Sequence, residues 1–158
     1  MREVLTLSDR GLQELLEELI IKRQGMILLP VKGRSMWPFI REGDLVKIKP
    51  AKAHPIRIGD IAVCRKDSKI IIHRVMWKQK LNGEWRFLTK GDASLGFDKE
   101  TGGADILGIV TAIERSGRIL DTGKSFFRLG PFLWNGLSFF PLYLFFLVKK
   151  VKQLLIKA

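Results

Sequence analysis

One cysteine in 158 residues already excludes two kinds of scaffold. Without a second thiol there is no intrachain disulfide, and no cysteine-rich zinc site can form. Cys64 itself lies in the apolar run Ile61-Ala62-Val63-Cys64, where a thiol reads as a small buried hydrophobe rather than a nucleophile. Histidine is almost as scarce. His54 and His73 are the only two, so any imidazole chemistry rests on one of them. Acidic residues are few, 16 against 28 Lys+Arg, and the basic excess is spread from Lys22 to Lys157 without forming a block. Such a balance suits an anionic surface, whether phospholipid headgroups or nucleic acid, and by itself decides neither. A basic leader is missing as well: Glu3, Asp9 and Arg10 precede the first apolar run, so no cleavable export signal is read. Repeats and low-complexity tracts are absent, and the length fits one domain with accessories.

Three regions differ in pattern. Residues 1–25 carry Leu12, Leu15, Leu16, Leu19 and Ile20 at helical spacing between a capping Ser8 and a terminating Gly25, which predicts an amphipathic helix. Residues 26–121 show short β-type runs: Ile27 to Val31, Leu45 to Ile48, Ile61 to Arg65, Ile70 to Met76, Trp85 to Thr89 and Ile106 to Ile113. Turns fall between them at Glu42-Gly43-Asp44, Ile58-Gly59-Asp60, Asn82-Gly83 and Lys90-Gly91-Asp92, and Asn82-Gly83 is a hairpin signal. Many short strands without intervening long helices predict a mainly β fold, an antiparallel barrel-like or coiled sheet. Residues 122–158 form an apolar and basic tail, in which Leu129 to Val148 holds no charge. Twenty helical residues reach roughly 30 Å, the thickness of a bilayer core. Pro131, Asn135, Gly136 and Pro141 interrupt a straight span, whereas Trp134, Tyr143 and the cationic Lys149-Lys150-Val151-Lys152 suit an interface. The tail is read as a membrane-associating helical segment, spanning or lying flat, with lipid as its partner.

The chemistry concentrates around Gly33-Arg34-Ser35-Met36-Trp37-Pro38. A serine just after a strand, with a small residue two before it and a proline three after it, can sit on a tight turn with its hydroxyl exposed and its amide free. Those are what an acyl-transfer nucleophile needs from its own residue. A base must then come within about 2.6–3.2 Å of the hydroxyl. His54, in the polar segment Lys52-Ala53-His54-Pro55, reads as a loop residue, whereas His73 closes the strand-like run Ile70-Ile71-Ile72. Standing alone, a histidine there is better explained by a hydrogen-bonded place in the core.

Five elements in order change that balance: Gly33-Arg34-Ser35-Met36-Trp37-Pro38, Gly43-Asp44, Ile58-Gly59-Asp60-Ile61, His73-Arg74-Val75 and Leu88-Thr89-Lys90-Gly91-Asp92. Together they resemble the signal peptidase I family, within the wider group that holds the self-cleaving LexA-like repressors. The resemblance implies a serine endopeptidase with Ser35 as nucleophile and His73 as general base. A lysine fills the base position in the usual bacterial enzymes, so the chain is similar to the endoplasmic-reticulum and archaeal branch with histidine. It further implies a supporting carboxylate, which corresponds to Asp92 or Asp98, and spacing does not choose between them. Should His73 not be the base, Lys66, Lys69 and Lys78 are next in line.

The implied substrate is an extended peptide or precursor protein, cut after small residues to remove a leader or signal segment. No cofactor and no metal are implied. Two features depart from the family pattern: Gly33 stands where many members place a serine oxyanion donor, and the apolar segment lies after the domain instead of before it. Membrane association is expected, with the side of the active site open. Competing readings are a LexA-like regulator and a catalytically silent membrane-attached binding module. The first would need a DNA-binding module, and the single helix pattern from Ser8 to Arg23 is too short for one, so no nucleic-acid partner is expected.

Overall fold

The computed structural model describes residues 27–53, 55–66, 69–124, 127, 128 and 130. The expected N-terminal helix, His54 and nearly all of the apolar tail lie outside the described residues. Among the described residues eight strands follow one another: β1 (Ile27–Pro30), β2 (Leu45–Pro50), β3 (Ile61–Lys66), β4 (Lys69–Leu81), β5 (Glu84–Lys90), β6 (Thr101–Gly102), β7 (Ile106–Arg115) and β8 (Arg118–Asp121). Every pairing is antiparallel, in the order β1-β2-β7-β3-β4-β5-β6, with β8 added alongside β7. The mainly antiparallel β architecture is therefore as the sequence predicts. The sheet is open, running from β1 to β6 among the described residues, and is not a closed barrel.

Strand β3 explains why one sheet suffices. Its residues Ile61, Ala62, Val63 and Cys64 are all buried, because alternate side chains enter two cores. Ile61 and Val63 join Val46, Ile48, Val110 and Ile113 on one face, and Ala62 and Cys64 join Val75, Phe87 and Ile109 on the other. Each buried Val, Ile or Phe side chain contributes roughly 1.5–3 kcal/mol. Cys64 is a core residue, as expected, and burial pushes its thiol up to about 12.

Strand β4 is the second organiser. Its first half pairs with β3, from Ile61↔Arg74 to Lys66↔Lys69, and its second half pairs with β5, from Arg74↔Lys90 to Leu81↔Glu84. Asn82 and Gly83 both take positive φ, 50° and 85°, which a two-residue hairpin turn of this hand requires. The register slips between Val75 and Trp77, leaving Met76 as an extra residue, a bulge of the kind that re-aims neighbouring side chains. Since β5 reaches β4 only as far as Arg74, the chain leaving β5 at Gly91 arrives beside His73. This junction positions the site.

Candidate active site

Ser35 is exposed on a turn that follows β1, flanked by the buried Met36, Phe39 and Ile40. The Trp37 amide donates to Arg34 O and the Ile40 amide to Met36 O, and the Trp37–Pro38 peptide is cis. The tight turn and the exposed serine are as the sequence pattern predicts, and the three apolar anchors are what the fold adds. The segment is fastened from behind by Asp44. Its Oδ2 accepts from the Arg41 amide at 2.7 Å, and Arg115 reaches both of its oxygens, Nε to Oδ1 at 2.8 Å and Nη2 to Oδ2 at 2.7 Å. Burial pushes the Asp44 carboxyl up, but Arg115 and the Arg41 amide outweigh it and hold the group below its ordinary value.

His73 and Arg74 are adjacent on β4, so their side chains leave opposite faces of the sheet. His73 faces the same side as its cross-strand partner Ala62. Its Nδ1 lies 2.6 Å from Asp98 Oδ2, both side chains being mostly buried. The same oxygen accepts the Thr89 hydroxyl at 2.7 Å, and Lys66 Nζ stands 3.8 Å from it. The Asp98 amide donates to Thr89 O, which ties the carboxylate to the end of β5.

Arg74 carries Asp92 on the other face. Its Nε and Nη2 donate to the two Asp92 oxygens at 2.8 and 2.7 Å, and Nη1 donates to Gly59 O and Phe127 O. The pair is sealed, with Arg74 and Asp92 side chains 0% and 1% exposed. Of the two candidate carboxylates, Asp98 stands against His73 and Asp92 is committed to Arg74. Burial pulls the neighbouring Lys90 below its ordinary value, with Asp92 acting the other way.

Gly91 brings Ser35 and His73 to one place. A β-carbon on Gly91 would lie 2.5 Å from Ser94 Oγ, 2.7 Å from Ser35 O and 3.1 Å from His73 Nε2. The Ala93 amide donates to Ser35 O at 2.8 Å and the Ser94 amide to Gly91 O at 3.0 Å, so the turn after β5 is bonded directly to the backbone of Ser35. Thr89 and Gly91 entered the sequence reading only as members of the Leu88-Thr89-Lys90-Gly91-Asp92 element, with no role of their own, and Ser94 not at all. The approach of Gly91 depends on tertiary placement, although the Gly-Asp element marks the turn. Of the alternative lysine bases, Lys66 donates to Lys99 O and flanks Asp98, Lys78 donates to Ile56 O at 2.8 Å, and Lys69 is exposed.

Two shallow clefts border Asp98 and its neighbour. One, of about 520 Å³, is lined by charged residues including Arg65, Lys66, Asp98 and Asp105. The other, of about 490 Å³, is apolar and lined by Met76, Trp77, Leu88 and Phe97 together with Glu100. Among the described residues no cluster of three or more His, Cys, Asp or Glu is grouped to hold a metal. No helix among them is long and apolar enough to cross a membrane.

The sequence pattern of the family described as Peptidase S24-like matches residues 6–89, more than half of the chain, and ends before Asp92 and Asp98. The signal peptidase complex catalytic subunit SEC11C of Canis lupus familiaris is 38% identical over 68 residues, 41% of this chain and 35% of that protein. The proteins of the same name from Homo sapiens and Mus musculus match to the same extent. The matched region spans about a third of the length of these relatives.

Proposed function

The chain belongs to the Peptidase S24-like family, and from that premise we propose that it is a serine endopeptidase in which Ser35 attacks the peptide and His73 is its general base. One observation carries the reading: His73 is held at Nδ1 by Asp98, while its Nε2 and Ser35 O border the same space over Gly91, 3.1 and 2.7 Å from where a β-carbon there would lie. With the Nδ1 proton donated to Asp98, Nε2 keeps its lone pair for the Ser35 hydroxyl. The Oγ electron pair forms a bond to the substrate carbonyl carbon, the proton passes to Nε2, and the carbonyl electrons move onto oxygen. Collapse expels the amine, which takes the proton back from Nε2, and leaves Ser35 acylated. Water repeats the sequence with the same imidazole. Asp98 stabilises the imidazolium in both halves, and Thr89 and Lys66 keep its carboxylate in place.

Signal-peptidase-type processing is the activity supported by the names of the matching relatives, and leader or signal segments cut after small residues are the proposed substrates. The proposed setting is the membrane, through the tail at 122–158. Peptide cleavage with profiling of the positions before the cut tests this: small residues at the first and third are expected, and a preference for bulky or charged ones there contradicts it. Loss of cleavage in both Ser35→Ala and His73→Ala supports the assignment, and wild-type cleavage by either overturns it.

A further inference from the structure

The mechanism above leaves one hydroxyl beside the imidazole without a task. Ser94 Oγ and His73 Nε2 converge on the space over Gly91, 2.5 and 3.1 Å from the position its β-carbon would take. The convergence is built by the backbone: Ser94 is half-buried, its amide closes the turn onto Gly91 O, and the preceding Ala93 amide is bonded to Ser35 O. Ser35 O is thus already an acceptor for Ala93, whereas the Ser94 hydroxyl is free to rotate about its own carbon.

We propose that Ser94 is a positioning residue for His73, in addition to Asp98. This rests on His73 being the base for Ser35. During attack Nε2 changes from acceptor to donor, and once Ser35 Oγ has become part of the tetrahedral adduct the imidazolium N–H needs an acceptor that stays in place. The Ser94 hydroxyl can accept from the protonated nitrogen in a charge-assisted bond, while the lone pair of the neutral nitrogen stays with Ser35. Asp98 fixes one edge of the ring and Ser94 the other. The side-chain hydroxyl absent at Gly33 is therefore not replaced in kind, because Ser94 serves the base and not the oxyanion.

The test measures Ser35 acylation by an active-site reagent, and peptide cleavage, in wild type, Ser94→Ala, Ser94→Thr and Ser94→Cys. The expected result is about a tenfold lower kcat in Ser94→Ala with KM little changed, matching the loss of one hydrogen bond to a charged group. Ser94→Thr, which keeps the hydroxyl, recovers most of the rate. Ser94→Cys, which keeps the volume but is a poor acceptor, loses as much as alanine and carries the test should alanine unfold. A wild-type kcat in Ser94→Ala, or a loss confined to KM, overturns the proposal. Equal Ser35 acylation rates in wild type and Ser94→Ala overturn it alone, whereas failure of the wild type to be acylated at Ser35 overturns the reading of the site and this proposal with it.

Discussion

Asp98 Oδ2 lies 2.6 Å from His73 Nδ1, and this contact divides the work of two carboxylates that stand six residues apart in the same loop. Asp98 serves the imidazole on one face of β4. Asp92 serves the buried guanidinium of Arg74 on the other.

Different failures are therefore expected from the two asparagine substitutions. Asp98→Asn removes the charge proposed to stabilise the imidazolium and is expected to lower kcat by two orders of magnitude or more, with a thermal unfolding transition close to wild type. Asp92→Asn strands Arg74 in the core and is expected to cost about 3–5 kcal/mol of stability. Urea unfolding and peptide kinetics on both variants check the division. A stable, inactive Asp92→Asn would reverse the assignment.

Gly91 has no room for a side chain. A β-carbon there meets Ser35 O at 2.7 Å, a main-chain atom bonded to Ala93 that cannot swing aside. Gly91→Ala is expected to separate the nucleophile from the base and to lower kcat/KM at least a hundredfold, since small misplacements of reacting groups carry losses of that order. Retention of wild-type kcat/KM in this variant contradicts the placement.

Acid is expected to weaken the attachment of the turn that carries Ser35. The Asp44 carboxyl is held below its ordinary value of 3.8, so the folded state favours the ionised form more than the unfolded chain does. Its contribution is present in full above that ordinary value and is lost as pH falls through the lowered folded value. Arg115→Ala is expected to destabilise the protein by about 2–3 kcal/mol near neutrality. The difference from wild type shrinks once Asp44 is protonated. Thermal unfolding of both proteins across the acid range checks this, and a pH-independent difference would exclude the pair as its source.

How much of this was legible in the sequence follows from the range of the interactions. The six expected strands rest on local alternation and turn chemistry, and five lie within a strand of the fold, while the first runs one residue past the end of β1 to Val31. Two further strands, β6 and β8, escaped because Thr101–Gly102 and Arg118–Asp121 are short and polar or exposed, and only pairing with β5 and β7 makes them strands. Strand β4 was read in two pieces, the run Ile70 to Met76 and the hairpin arm before Asn82-Gly83, because the bulge at Met76 breaks its alternation in mid-strand. Ser35 and His73 were singled out because they sit in recognisable local elements. The choice between Asp92 and Asp98 had a signal in principle. Adjacent residues on a strand face opposite ways, so His73 and Arg74 call for two separate carboxylates. Which takes which depends on the path of the loop, as does the approach of Gly91 and Ser94 to Nε2, and no local pattern encodes that.

The most direct measurement is mass-spectrometric mapping of acylation by an active-site reagent, in wild type and in His73→Ala. The account predicts modification at Ser35 in the wild type and a rate ~10²–10⁴-fold lower without the imidazole. Acylation at another residue, or an undiminished rate in His73→Ala, would contradict it.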